Sequence, residues 1–430
     1  LPALAMNLPV IPAGRAPSPG PSPNSGGGEN YRSLSLPVPS CTLRVYPSIH
    51  QVPAAEWDSL LGADDLQATH RFIRTCQEAQ VEDARYRHLM VYQDGALAGV
   101  ASLCMMRVKL DLLSTGGVRW AIRRVRGWRA GFLEVPVVFC GLPVSFGQSC
   151  LRIHPEANTA AVLEVVRGAA ESCAVEVGAG VVCFKEFTPA ESTVLQPLTG
   201  RGYLRLASLP SCRMVLPWPS FEAYLASMRA GYRRQVTATL RARERLGIAF
   251  RKVEDFGAEV PRIFPLYEQV MAHAEFQLER LNLQFFARLN ENLPRESSAI
   301  LVEREGELLA AAILLRSPGA VTFLLAGLDY GRHRELQSYP QLVTEVVAEA
   351  IRSGAGALEM GQTSYALKQR LGAQPSARHL FFRHRQPVMH RLFHMAGGAL
   401  FPELALPARQ VFRATDAASA SVPSAAPGAG

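Results

Sequence analysis

The spacing of apolar positions changes along the chain, and each change marks an element. From Tyr339 to Gly372 the chain reads YPQLVTEVVAEAIRSGAGALEMGQTSYALKQRLG. Leu342, Val343, Val346, Val347, Ala350 and Ile351 recur at three- and four-residue spacing, which predicts a helix with one apolar face. Gly354 and Gly356 stop that helix, since glycine readily takes the left-handed conformation that ends one. The run Ala357–Met360 predicts a short buried strand closed by Gly361. A polar loop, Gln362-Thr363-Ser364-Tyr365, leads into a short helix carrying Lys368 and Arg370. Gln362, Thr363, Ser364, Tyr365 and Lys368 therefore stand at the carboxyl end of a strand, where open α/β sheets bind ligands.

The same order occurs earlier in the chain. Arg87–Tyr92 and Ala96–Cys104 are apolar runs flanking the turn Gln93-Asp94-Gly95, a strong hairpin signal. Ser298–Glu303 and Glu307–Leu315 flank Arg304-Glu305-Gly306 in the same way. After each hairpin come another apolar stretch, an amphipathic helix and a short strand. In the first half these are a helix from Ala157 and a strand Val181–Lys185. The chain thus reads as a divergent tandem repeat of an α/β unit.

Between the halves the pattern predicts a strand, Ser211–Leu216, broken by Pro217-Trp218-Pro219. One continuous basic helix over 221–246 follows, ended by Gly247, then a strand Ile248–Val253. The helix carries Arg229, Arg233, Arg234, Arg241, Arg243 and Arg245. The first half carries an insertion around 110–135, with Arg119, Arg123, Arg124, Arg126 and Arg129 beside Trp120 and Trp128. A basic segment with interleaved aromatics suits RNA or a membrane face; equally, it suits a solvated helix whose tryptophans pack on the domain.

Composition narrows the picture. A chain of 430 residues has room for two or three domains. Residues 1–40 are rich in Pro, Gly and Ser, which predicts a disordered leader and not a signal peptide. Residues 396–430 read as a flexible tail. No stretch approaches the roughly 18 apolar residues of a membrane span. The eight cysteines form no CxxC pair, so reduced core cysteines and a cytoplasmic location are expected. The formal charge of +8 comes mainly from arginine and permits an anionic partner without naming one. No HExxH, Walker loop, nucleophile elbow or Rossmann fingerprint is present, and no metal site is expected.

The order helix, helix, hairpin, strand, helix, strand, helix in the second half resembles the GNAT acyltransferase fold. More narrowly, the chain is similar to the Fem-type transferases, bacterial tandem GNAT-like proteins related to peptidoglycan-bridge enzymes. The segments that carry this are YLASMRAGYRRQVTATLRARERLG at 224–247, the VEREGELLAAAILL hairpin at 302–315, SYPQLVTEVVAEAIRSGAGALEMGQTSYALKQRLGA at 338–373 and the first hairpin. The resemblance covers most of 41–395. It implies an α/β fold of two tandem GNAT-like domains, each a mixed twisted sheet with flanking helices, over 41–216 and 217–395. It also implies acyl or aminoacyl transfer to an amine, from acyl-CoA or aminoacyl-tRNA, with no metal. One departure bears on the donor. GNAT enzymes hold the coenzyme A pyrophosphate on a glycine-spaced loop at a helix start, and a helix start is a natural anion site. The matching stretch here, Gly327 to Pro340, has Gly331, Arg332 and Arg334 without that spacing.

Within this frame Lys368 is a candidate to hold a phosphate or an oxyanion, and Tyr365 a candidate general acid. Asp329 and His333 are candidate bases, and Glu359 either faces the cleft or pairs with an arginine. Gly361, Gln362, Thr363, Ser364 and Tyr339 would shape the donor and substrate sites, with helix capping by Thr363 or Ser364 an equal alternative. Arg233 and Arg234 would meet a nucleotide or tRNA phosphate, or else form a solvated helix face, the more common role of a charge run. The expected partners are a small-molecule acyl donor and an amine acceptor. The basic segments admit tRNA and peripheral membrane contact, and DNA is not expected. The alternative function is a catalytically silent GNAT-like module that binds a cell-wall precursor, RNA or a membrane surface. The first-half strand end, Lys185-Glu186, lacks the Gln-Thr-Ser-Tyr loop, which places the chemistry at 361–368.

Overall fold

The computed structural model describes residues 41–109, 124–125, 128, 134–144, 146–274, 279–401 and 403–413. The expected leader, most of the basic insertion and the end of the chain lie outside the described residues. Besides short 3-10 turns, the first half runs β1 (Cys41–Tyr46), α1 (Ala54–Asp58), α2 (His70–Glu78), β2 (Arg85–Gln93), β3 (Ala96–Lys109), β4 (Glu134–Cys140), β5 (Leu151–Ile153), α3 (Thr159–Glu176), β6 (Val181–Phe187), α4 (Pro189–Val194), α5 (Pro197–Gly200) and β7 (Leu204–Val215). Two helices, α6 (Phe221–Ser227) and α7 (Ala230–Leu246), link it to the second half. That half runs β8 (Ala249–Val253), α8 (Val260–His273), α9 (Leu283–Asn292), β9 (Ser297–Arg304), β10 (Glu307–Arg316), β11 (Ala320–Leu328), α10 (Ser338–Arg352), β12 (Ala357–Gly361), α11 (Tyr365–Arg370), β13 (Gln374–His384) and α12 (Pro387–Leu400). The fold is the tandem α/β arrangement that the repeat implies. At both hairpin turns the two central residues have positive φ, Asp94 and Gly95 in one and Glu305 and Gly306 in the other. That twist matches the twist of the flanking strands.

One sheet joins the halves in the order β1-β2-β3-β4-β6-β13-β7-β12-β11-β10-β9-β8, with β5 on β3. The order is the same read from either end, except at its centre. There the last strands of the two halves are exchanged. β7 of the first half pairs with β12, β13 of the second half pairs with β6, and β7 and β13 pair with each other. The sheet therefore runs across the expected boundary at 216/217. Side-chain packing crosses it too. One core cluster holds Trp57, Phe72 and Val181 of the first half with Phe256, Phe285 and Phe286 of the second. The Phe72 and Phe285 rings meet edge to face at 6.4 Å, and Asn292 on α9 donates to Thr75 on α2. The opposite face carries a separate core in each half, under α3 and under α10. Leu342, Val343, Val346, Val347 and Ala350 of α10 are fully buried, as their spacing requires.

Three local readings are corrected. The basic stretch 221–246 is not one helix, because Met228 and Arg229 are extended. A later segment pairs with them: Arg229 N donates to Val411 O at 2.9 Å, Arg413 N to Ser227 O at 3.0 Å, and Met228 bridges Phe412. The same contacts show that 403–413, expected in a flexible tail, returns to the second core. Val411 is buried, and Phe412 lies 4.6 Å from the Trp218 ring. Gly372 is required there, since a Cβ would overlap the Phe412 ring. Finally, β7 begins at Leu204, well before Ser211, because Pro210 and the serines obscure its alternation.

Shared strands and a shared core predict one cooperative unit. In two single-tryptophan variants, one keeping Trp57 and one keeping Trp218, urea unfolding should show the same midpoint by fluorescence. Separate midpoints would mean that the halves unfold independently.

Candidate functional site

The site forms where parallel strands part. β11 and β12 pair at Ala320↔Ala357, Val321↔Leu358 and Thr322↔Glu359. Beyond this β11 continues to Leu328, whereas β12 bulges between Glu359 and Gly361 and ends. Gly361 turns with φ 65°, a conformation that suits glycine. The loop Gln362–Ser364 leaves from this point. The first half repeats the geometry with different residues. β4 and β6 pair from Val137↔Val181 to Cys140↔Phe184, and β6 is irregular just beyond. There the left-handed residue is Glu186, at φ 70°. A side chain in that conformation costs about 1–2 kcal/mol. In this half the segment after β4 packs on the strand end: Lys185 Nζ lies 3.5 Å from Pro143 O, and Gly147 O accepts from Arg378 Nε at 2.6 Å.

The loop residues come together with the start of α10, and most of their polar atoms are partnered. Gln362 Nε2 donates to Glu186 Oε2 at 3.0 Å and to Leu209 O at 2.7 Å. The Tyr365 hydroxyl donates to Pro210 O at 2.9 Å, and burial pushes its pKa up to about 12. Lys368 is 3% exposed and donates from Nζ to Gln362 O at 3.2 Å. Burial pulls its pKa down to about 8. Thr363 and Ser364 both have positive φ, and Ser364, which precedes α11, makes no side-chain capping bond to it. The Tyr339 hydroxyl lies near Ser364, and burial raises its pKa to about 12.

Among the described residues, the side chains of the other candidates make no hydrogen bond to the Gln362–Lys368 side chains. Asp329 follows β11 and accepts from Gly331 N at 2.9 Å, closing its own turn. His333 Nδ1 contacts Tyr330 O in the same turn. Glu359 is ion-paired with Arg213, its neighbour on β7. Arg233 and Arg234 line a shallow groove of about 440 Å³ along α7, with Arg241 and Arg245. α7 meets α10, where Gln341 Nε2 donates to Thr239 O at 2.9 Å. Among the described residues no group of three His, Cys, Asp or Glu side chains is placed to hold a metal.

Sequence reasoning missed Glu186 as a partner of the loop, and Lys185 and Arg378 as the cations that act on Glu186. All three are buried. Burial raises the Glu186 pKa, while Lys185, Arg378 and the Gln362 hydrogen bond oppose the shift. Arg378 also donates to Ser376 Oγ at 2.7 Å. The signal was present in the strand Val181–Phe187: a Lys-Glu pair inside an otherwise apolar run must find partners when buried. The first-half strand end lacks the polar loop, but it packs against the loop of the second half.

Residues 230–369 match the acetyltransferase (GNAT) domain family. None of the curated proteins compared with the chain matches it. Among solved structures, FemX superposes with a TM-score of 0.52 at 13% identity, covering 79% of this chain and 98% of its own. A tandem GNAT protein from the clavulanic acid biosynthesis pathway gives 0.48 at 11% identity, covering 80% and 99%. The C-terminal domain of a putative lysylphosphatidylglycerol synthetase from Agrobacterium fabrum gives 0.46 at 13%, covering 81% and 96%. Residues 230–369 match a GNAT domain, and the chain as a whole shares the fold of FemX.

The Lys368 shift has a measurable consequence. Its folded pKa of about 8 lies below the ordinary 10.5, so between those values the unfolded chain binds more protons than the folded one. Stability should therefore rise with pH across that window. Relative to Lys368→Met, the wild-type urea midpoint should increase from pH 8 to pH 10. Parallel midpoints in the two proteins would show that Lys368 is not held in this way.

Proposed function

We propose that the protein is an N-acyltransferase. It moves an acyl or aminoacyl group from a thioester or ester donor, acyl-CoA or aminoacyl-tRNA, to an amine acceptor. One observation carries the proposal: the GNAT-matching residues contain the parting of β11 from β12, with the Gln362–Lys368 loop at its edge. In this reading the second half holds the active site and the first half helps bind the acceptor. The donor's phosphates lie toward Arg332, Arg334 and the start of α10, and Arg233 and Arg234 extend the basic surface. The amine attacks the donor carbonyl, forming a C–N bond as the C–S or C–O bond breaks. The amine proton passes to Asp329 or His333, and Tyr365 or water protonates the leaving group. Lys368 and backbone N–H groups offset the oxyanion charge. Both donors are made in the cytoplasm, which is where the reading places the protein.

A second reading has its own support. The Gln362 amide, the Tyr365 hydroxyl and the Lys368 ammonium all bond within the protein. That pattern fits a silent GNAT-like module that binds a cell-wall precursor, RNA or a membrane surface. Turnover separates the two. Purified protein should transfer from an acyl-CoA or an aminoacyl-tRNA to an amine, and Tyr365→Phe or Lys368→Ala should lower kcat/KM by about 100-fold. No turnover with any pair tried, together with ligand binding indifferent to both substitutions, would favour the binding module.

A further inference from the structure

Among the described residues, the last helix presents an apolar face that no other element covers. In α12, Val388 is 74% exposed, Leu392 51% and Met395 78%. Their spacing of four and three residues sets them on one side of the helix. The opposite side is docked. Phe393 lies 4.8 Å from the Phe382 ring, His390 Nδ1 accepts from His384 N, and Gly397 approaches Leu206. The helix is thus held on β13 by one side while three large apolar side chains point to water. Exposed apolar residues scattered singly need no explanation, but three on one helix face do.

The charges on the helix and its approach have one sign, and the first carboxylate after them is Glu403. Arg391 is exposed beside Leu392, and Arg385 is exposed just before the helix begins. Arg385 spends its hydrogen bonds on the Ala174 and Ala179 carbonyls, so its charge is not neutralised by a carboxylate. The stretch from Leu380 to Leu400 contains no Asp or Glu, and it adds His384, His390 and His394. An apolar stripe flanked by arginine and free of acid matches an anionic lipid surface, whose headgroups attract the cations while its acyl boundary takes the apolar tips. A protein partner would be expected to meet some carboxylate of this chain at the rim, and a second copy would bring arginine against arginine.

We propose that α12 docks the protein on an anionic membrane surface, with Val388, Leu392 and Met395 entering the interface and Arg385 and Arg391 meeting lipid phosphates. The contact is peripheral; among the described residues no helix is long and apolar enough to cross a membrane. It needs neither acyl transfer nor the Gln362–Lys368 loop, so it stands whether or not the proposed function does.

The full chain should sediment with vesicles of phosphatidylcholine and phosphatidylglycerol, and far less with phosphatidylcholine alone. Added salt should weaken the binding. The triple substitution Val388→Asp, Leu392→Asp, Met395→Asp should weaken vesicle binding at least about tenfold, equivalent to ~1.4 kcal/mol, and Arg391→Glu should weaken it by a smaller factor. These side chains are exposed, so folding is checked by an unchanged urea midpoint. As a measurement on a near-native chain, Met395→Cys in a Cys41→Ser background, labelled with an environment-sensitive fluorophore, should shift to the blue on adding the anionic vesicles. No blue shift, or vesicle binding unchanged by the triple substitution, would overturn the proposal. So would a dimer in solution that the triple substitution dissociates, since a second copy would then cover the face.

Discussion

The exchange of terminal strands at the centre of the sheet is the constraint on which the rest depends. Each half ends in a strand, β7 or β13, that lies beside the last internal strand of the other half. A buried strand must pair its N–H and C=O groups on both edges. β7 does so between β13 and β12, and β13 between β6 and β7. Neither half can complete its sheet without a strand from the other. The shared core under α2, α8 and α9 adds apolar burial to the same junction.

This junction also makes the site. Exchange sets β6 and β12 on either side of the β13–β7 pair, with their carboxyl ends approaching its middle from opposite directions. Glu186 and Gln362 are 176 residues apart in sequence, yet their side chains bond. The polar loop therefore lies against a buried carboxylate, Glu186, whose charge is in turn opposed by two buried cations, Lys185 and Arg378. Burial explains the electrostatics of the group: it favours the neutral forms, raising the Tyr365 and Glu186 pKa values and lowering that of Lys368. The left-handed turns at Gly361 and Glu186 occupy matching strand ends, so the halves share a backbone device while differing in chemistry.

How much of this was legible depended on the range of the interaction. The hairpins were legible because Asp94-Gly95 and Glu305-Gly306 fix local φ. The buried face of α10 was legible because five of its apolar residues follow helical spacing. Gln362, Tyr365 and Lys368 were found as a group because they share one short loop and helix start. Their partners were not found. Pro210 and Leu209 offer backbone carbonyls, which carry no side-chain signature, and Glu186 belongs to the other repeat. The break at Met228–Arg229 was hidden for the same reason, since the segment that competes with the helix arrives from Val411 to Arg413.

By itself the sequence determined the repeat, the element types and the location of a polar strand end at 361–368, because hydrophobic period and turn chemistry act over a few residues. Tertiary structure alone decided which strand sits beside which, that Glu186 of the first half bonds the loop of the second, and that 403–413 returns to the core. The physical reason is that alternation tells a strand which face to bury but not which edge to pair. A charged side chain likewise declares that it needs a partner without naming one.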